Sequence, residues 1–141
     1  MKKINTILIL IAAVILIFPM NACAQRVKFS KSEIVPAAQG SVNVRKDKNN
    51  NYLIKININN LAAPERLTPP RQAYVLWMIT EDNMPKNIGK IKTSTKFLST
   101  KLKASFETVS SIKPMRIFIT AENDASVQYT DYEVILTTNN F

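Results

Sequence analysis

Histidine is absent from this chain of 141 residues, and cysteine occurs once, at Cys23. Zinc sites built on Cys and His, and nucleophiles activated by a Cys–His pair, are therefore not expected. A serine nucleophile would need a lysine as its base. Ser94, Ser99 and Ser105 lie near lysines, but a chain with 19 Lys and Arg places lysines near serines by chance. The carboxylates gather loosely at Glu122, Asp124, Asp131 and Glu133. Oxygen ligands of this kind suit calcium, and two carboxylates are what glycoside hydrolysis requires. Their spacing matches no known calcium loop, and the simpler reading is a polar turn followed by a strand edge. The sequence thus predicts no catalytic residue, no metal and no cofactor, and a protein that is not an enzyme.

Cys23 instead speaks for compartment. Lys2 and Lys3 precede an apolar stretch, residues 4–18 (INTILILIAAVILIF), which Pro19 ends. A positive start, a short apolar run and small residues at Ala22 and Ala24 describe a secretory signal peptide. The run is shorter than the roughly 20 apolar residues that span a bilayer. Two processing signals overlap: Ala22-Cys23-Ala24 fits an A-x-A site that releases a soluble periplasmic chain beginning at Gln25, whereas Met20-Asn21-Ala22-Cys23 resembles a bacterial lipobox, with Met20 where Leu is usual. In the second case Cys23 is acylated and becomes the new N-terminus. A lone thiol without a disulfide partner agrees better with the lipoprotein, on the periplasmic side of a membrane. Each buried methylene adds about 0.8 kcal/mol of membrane affinity, so several acyl chains hold firmly. The expected organisation is a signal peptide over residues 1–22, a tether over 23–31 and one domain over 32–141, of ordinary size and stabilised by its core alone.

The formal charge is +9, and the excess is uneven. Lys86, Lys90, Lys92, Lys96, Lys101 and Lys103 fall in a stretch without an acidic residue. Such a surface suits anionic lipid headgroups, lipopolysaccharide or acidic glycans, or simply keeps the protein soluble. Nucleic acid is not an expected partner, since the chain is exported and that stretch has few aromatics for base stacking.

Short β-branched segments must position these groups. In residues 52–58 (YLIKINI), Ile54, Ile56 and Ile58 face one way while Lys55 and Asn57 face the other, the period of a half-wet strand. Residues 73–79 (AYVLWMI) are apolar on both faces, which predicts a central strand. Tyr74, Leu76 and Trp77 there, with Ile117 and Ile119 of the strand 115–122 (MRIFITAE), are the candidate core, and Trp77 is expected to fill space between two sheets. Residues 81–85 (EDNMP) lead a hairpin into 87–92, and 97–109 read as two short strands or a strand with a helical turn. ENDAS (122–126) reads as a turn, and 132–138 as the last strand. The connection 62–72, with Pro64, Pro69 and Pro70, is expected to cross between sheets, because proline cannot donate to a ladder. The fold class is all-β: an antiparallel β-sandwich of about seven or eight strands, immunoglobulin-like in general architecture. Gly40 and Gly89 mark unusual backbone geometry or close approach.

From Gly40 onward the order of elements resembles the extracytoplasmic domain of anti-sigma-K factors. The matching pieces are GSVNV, INININNL, the Tyr-x-x-Trp of Tyr74-Val75-Leu76-Trp77, then Asn87-Ile88-Gly89-Lys90-Ile91, and a strand closing on Thr-x-Glu at Thr120-Ala121-Glu122. That family continues with Glu-Pro and glycines where this chain has Glu122-Asn123-Asp124-Ala125. The resemblance implies an interaction or sensory module whose partner is another envelope protein. Only residues 1–3 precede the apolar run, so the sigma-binding segment of that family is not expected here.

Overall fold

The computed structural model describes residues 24–94, 102–130 and 132–141. Eight strands form: β1 (Gln25–Lys28), β2 (Gln39–Lys46), β3 (Tyr52–Asn59), β4 (Ala73–Ile79), β5 (Pro85–Ser94), β6 (Lys103–Ser110), β7 (Arg116–Glu122) and β8 (Val134–Thr137). Every pairing is antiparallel, in the order β1-β2-β3-β6-β5-β4-β7-β8. The strands divide into two layers, β1-β2-β3-β6 and β5-β4-β7-β8. Long β5 is the seam between them, since residues 85–91 pair with β4 and 92–94 with β6. Across the molecule Phe29 bridges Thr138, and the Ser30 N–H donates to the Thr137 carbonyl at 2.8 Å. The protein is a β-sandwich. The chain changes layer between β3 and β4, returns through the seam from β5 to β6 and changes again between β6 and β7, so β3 lies beside β6 and β4 beside β7, as in immunoglobulin-like sandwiches. The proline-bearing connection does cross between layers, with one 3₁₀ turn at Pro64–Arg66.

Period-two patterning explains the core. Val42, Val44, Ile54, Ile56 and Ile58 of the first layer meet Tyr74, Leu76, Met78, Ile117, Ile119 and Ala121 of the second. Each such aliphatic side chain stabilises the fold by about 1.5–3 kcal/mol relative to leaving it in water. Tyr74 buries its ring and donates its hydroxyl to the Ala62 carbonyl at 2.9 Å, fastening the crossing connection. Burial, with Glu65 as a lesser cause, pushes its phenol up to about 12. Gly89 has φ +136°, and a Cβ there would sit 2.8 Å from the Phe106 ring. At Gly40 a Cβ would meet the Asn57 carbonyl at 2.6 Å.

Two expectations are corrected. The segment 24–31 is not a tether: β1 lies within it and pairs with β2 from Gln25↔Val44 to Lys28↔Ser41. Val27, half-buried, stands opposite buried Val42 in that pairing. Trp77, fully buried, does not lie between the sheets. Successive side chains of a strand point to opposite faces, so while Tyr74, Leu76 and Met78 face the core, Val75, Trp77 and Ile79 face outward. They form a second cluster with Phe118, against which Ala125 and Val127 pack. The β7–β8 connection, residues 123–133, thus roofs the outer face of the second layer. Residues 97–101 lie outside the described residues; those after them form the single strand β6.

The two ends of the sandwich differ. At the near end, where β1 begins, sit the tight turns 47–51, 80–84 and 111–115. Asp47 shapes the first by accepting the N–H groups of Asn49 and Asn51 at 2.8 and 2.9 Å, with Asn50 at φ 62°. The far end carries the long connections 29–38, 60–72 and 123–133.

Candidate functional site

The first layer turns inward every second side chain of β1, β2 and β3 and leaves the alternates outside. These are almost all polar: Arg26 and Lys28, Gln39, Ser41 and Asn43, then Lys55, Asn57 and Asn59. Near the far end they bound an open groove of 590 Å³. Arg26, Lys28 and Lys31 supply positive charge, Gln39, Asn57 and Asn59 supply amides, and no carboxylate lines it. The Arg26 guanidinium is oriented, because its Nε–H donates to the Ser41 hydroxyl at 3.2 Å. Ser41 is itself buried beneath it. Such a cradle can bind anionic oxygens: guanidinium and ammonium donors make charge-assisted hydrogen bonds, roughly twice as strong as neutral ones.

The six lysines expected to form one anionic-partner surface do not converge. Lys96, Lys101 and the side chain of Lys92 lie outside the described residues. Of the others, Lys86 stands opposite Met78, on the inward register, and pairs with Asp82 at 3.0 Å. Lys90 stands opposite Val75, on the roofed face. Lys103 opens β6 in the first layer and is exposed. A run of lysines along a strand alternates faces, so nearness in sequence is not nearness on a surface. The groove's cations were missed because they sit in the stretch read as a tether, and pairing alone brings Gln39 and Asn57 to them.

The carboxylates separate as well. Glu122 is fully buried, with both side-chain oxygens lacking a hydrogen-bond partner. Asp124 accepts the backbone N–H and hydroxyl of Ser126, which hold its carboxyl below the usual value. Glu133 is exposed, and Asp131 lies outside the described residues. Among the described residues no three Cys, Asp or Glu converge on a point that could hold a metal ion. Cys23 and residues 1–22, where a signal peptide is expected, also lie outside them. No helix among the described residues is long and apolar enough to cross a membrane.

All five candidate core residues, Tyr74, Leu76, Trp77, Ile117 and Ile119, have zero exposure. The residues that carry the family resemblance shape the fold: Tyr74 fastens the crossing, Trp77 belongs to the cluster on which the roof packs, Asn87 ties the roof to β5, and Gly89 makes room for Phe106. No protein-family model matches the chain, and no curated protein or solved structure matches it either.

Proposed function

We propose that the mature chain is a non-enzymatic binding module of the bacterial envelope, exported and held to a membrane by lipid on Cys23, and that its groove takes anionic envelope material. The observation that carries this reading is the groove itself, with Arg26, Lys28 and Lys31 converging where no carboxylate opposes them. Exposed charges act over about 8–10 Å at physiological salt, so binding to a phosphate- or carboxylate-bearing matrix should weaken as salt rises. Exchanging Arg26 and Lys28 for Ala should remove most of that retention, and exchanging Lys86 and Lys90 should not. Retention that ignores salt, or follows Lys86 and Lys90 instead, overturns the proposal. The lipid is tested separately: Cys23→Ala should move the protein from the membrane to the soluble fraction.

A second reading, a protein partner like that implied by the resemblance to the outer domain of anti-sigma-K factors, is favoured by the aromatic display at the far end. Tyr129 is 75% exposed, and Arg71 stacks on Tyr132 at 3.7 Å. Tyr and Arg dominate binding hot spots. Under this reading a membrane pull-down recovers a specific envelope protein that Tyr129→Ala loses.

A further inference from the structure

We infer that the near end of the sandwich is a docking surface for anionic lipid, so that the domain sits on the headgroups with its groove and long connections facing away. The inference deepens the envelope reading by assigning the membrane a face of the domain.

The first argument is covalent. One residue, Ala24, separates Cys23 from the first residue of β1. An extended residue spans at most about 3.6 Å, so β1 begins within about 7 Å of the residue expected to carry acyl chains. A domain joined that closely cannot swing clear of the surface, and the end at which β1 begins must face it.

The second argument is the character of that end. Its turns expose apolar tips, Met84 at 59% and Ile112 at 45%, with Lys48, Lys113 and Arg116 around them, all exposed. Two of the local acids are committed, Asp47 to the backbone of its own turn and Asp82 to Lys86 and Thr80, which leaves exposed Glu81 against the three cations. Thr80, Lys86 and the Met84 N–H together bring the Asp82 carboxyl down to about 2. Apolar tips ringed by basic side chains suit the boundary between headgroups and acyl chains. A groove of 580 Å³ opens beside Ala24, between Tyr52 and Phe141, with Lys46 and Lys113 at its margin. Its position where the chain enters suits a lipid bound next to the anchor.

The third argument is distance. β2 runs from Gln39 beside the anionic-ligand groove to Lys46 at the near end, about 23 Å at the rise of an extended strand. Arg26, opposite Asn43, is the groove's cation nearest the membrane, about 10 Å along the strand from Lys46, so a ligand held toward Gln39 and a membrane at the near end do not compete.

The test uses the exported chain carrying Cys23→Ala, so that acyl chains do not mask surface binding, and sedimentation with vesicles of phosphatidylcholine alone or mixed with phosphatidylglycerol. Partition should rise with the anionic lipid. Each Lys near such a surface is worth about fivefold in partition, so Lys48→Glu with Lys113→Glu should weaken binding by at least about 25-fold, and Ile112→Ser should weaken it several-fold, while Arg26→Ala with Lys28→Ala leaves it unchanged. Unchanged thermal melting confirms that the variants fold. Near-end variants that bind like the parent, or a groove variant that loses binding in their place, overturn the inference. Fractionation of the wild-type chain reports on the lipid independently, so failure of the anchor and failure of the docking surface are told apart.

Discussion

The two outer faces of the sandwich are built on the same strand pairing and end in opposite states. Across β1-β2-β3 the outward side chains are mostly charged or amide-bearing and open to water, Ser41 beneath Arg26 and half-buried Leu53 apart. Across β4 and β7 they include Val75, Trp77, Ile79, Phe118, Thr120 and Glu122, all of them buried. The difference is the β7–β8 connection. Asn87 donates through its side-chain N–H groups to the carbonyls of Ala125 and Val127 at 3.1 and 2.8 Å, and so fastens that connection across the face. A sheet with one covered face needs one apolar row, and a sheet covered twice needs two. The roofed face therefore bears on stability, and the bare face stays open to water.

Removing Trp77 should break this contrast most severely. Its ring stacks on Phe118 with centroids 6.0 Å apart, and its Nε1–H donates to the Thr120 hydroxyl at 2.8 Å. Trp77→Ala should cost about 3–5 kcal/mol, read as a lowered denaturation midpoint, although the side chain lies outside the sandwich interior. A variant that melts like wild type would mean the roof contributes little.

Glu122 tests the roofed face in the other direction. A buried carboxyl whose oxygens meet no donor costs at least about 1–3 kcal/mol, and Met preserves its length while removing the polar atoms. Glu122→Met should therefore raise the melting temperature. A fall would reveal a cation or polar partner for Glu122. Asn87→Ala comes next: it leaves two roof carbonyls without a protein donor, and because the site is partly solvated the loss should be about 1 kcal/mol. Faster quenching of Trp77 fluorescence by acrylamide would show the roof loosening.

These residues also mark how far the sequence can be read. Alternation at Ile54, Ile56 and Ile58 identifies β3 and its inward face, and the unbroken apolar run of β4 announces two covered faces. What covers the second face is not legible, because residues 123–133 are mostly polar and contribute only Ala125 and Val127 to the cluster, too few for a pattern. β1 is faint for a related reason: the alternation Val27-Lys28-Phe29 is too short to outweigh the reading as a tether, and the strand is completed by pairing with β2. The groove inherits that obscurity, since its cations and amides meet only after β1, β2 and β3 align. The lysine run from Lys86 to Lys103 is conspicuous in sequence, yet its described members divide between faces and layers.

Acid should loosen the roof before the bare face. Asp124 is held below its usual value of 3.8, first by the Ser126 backbone N–H and then by its hydroxyl. A depressed carboxyl contributes stability that is present above the unfolded value and lost as pH falls through the folded one. The exposed loop makes the effect small. Trp77 fluorescence should report a slight transition below pH 3.8, and Asp124→Asn should flatten it.

The smallest effect belongs to the bare face, and its smallness sharpens the contrast. Lys55 on β3 and Glu107 on β6 stand directly opposite and pair at 2.9 Å, with side chains 44% and 53% exposed. Water screens both partners and each long side chain loses rotamer freedom, so an exposed pair of this kind contributes less than about 1 kcal/mol. Lys55→Ala, Glu107→Ala and the double variant should melt within about a degree or two of one another, with coupling that vanishes in high salt. A strong coupling would mean the outer face of the first layer also holds the fold together. The expected weak one leaves its side chains free to be selected for what they bind.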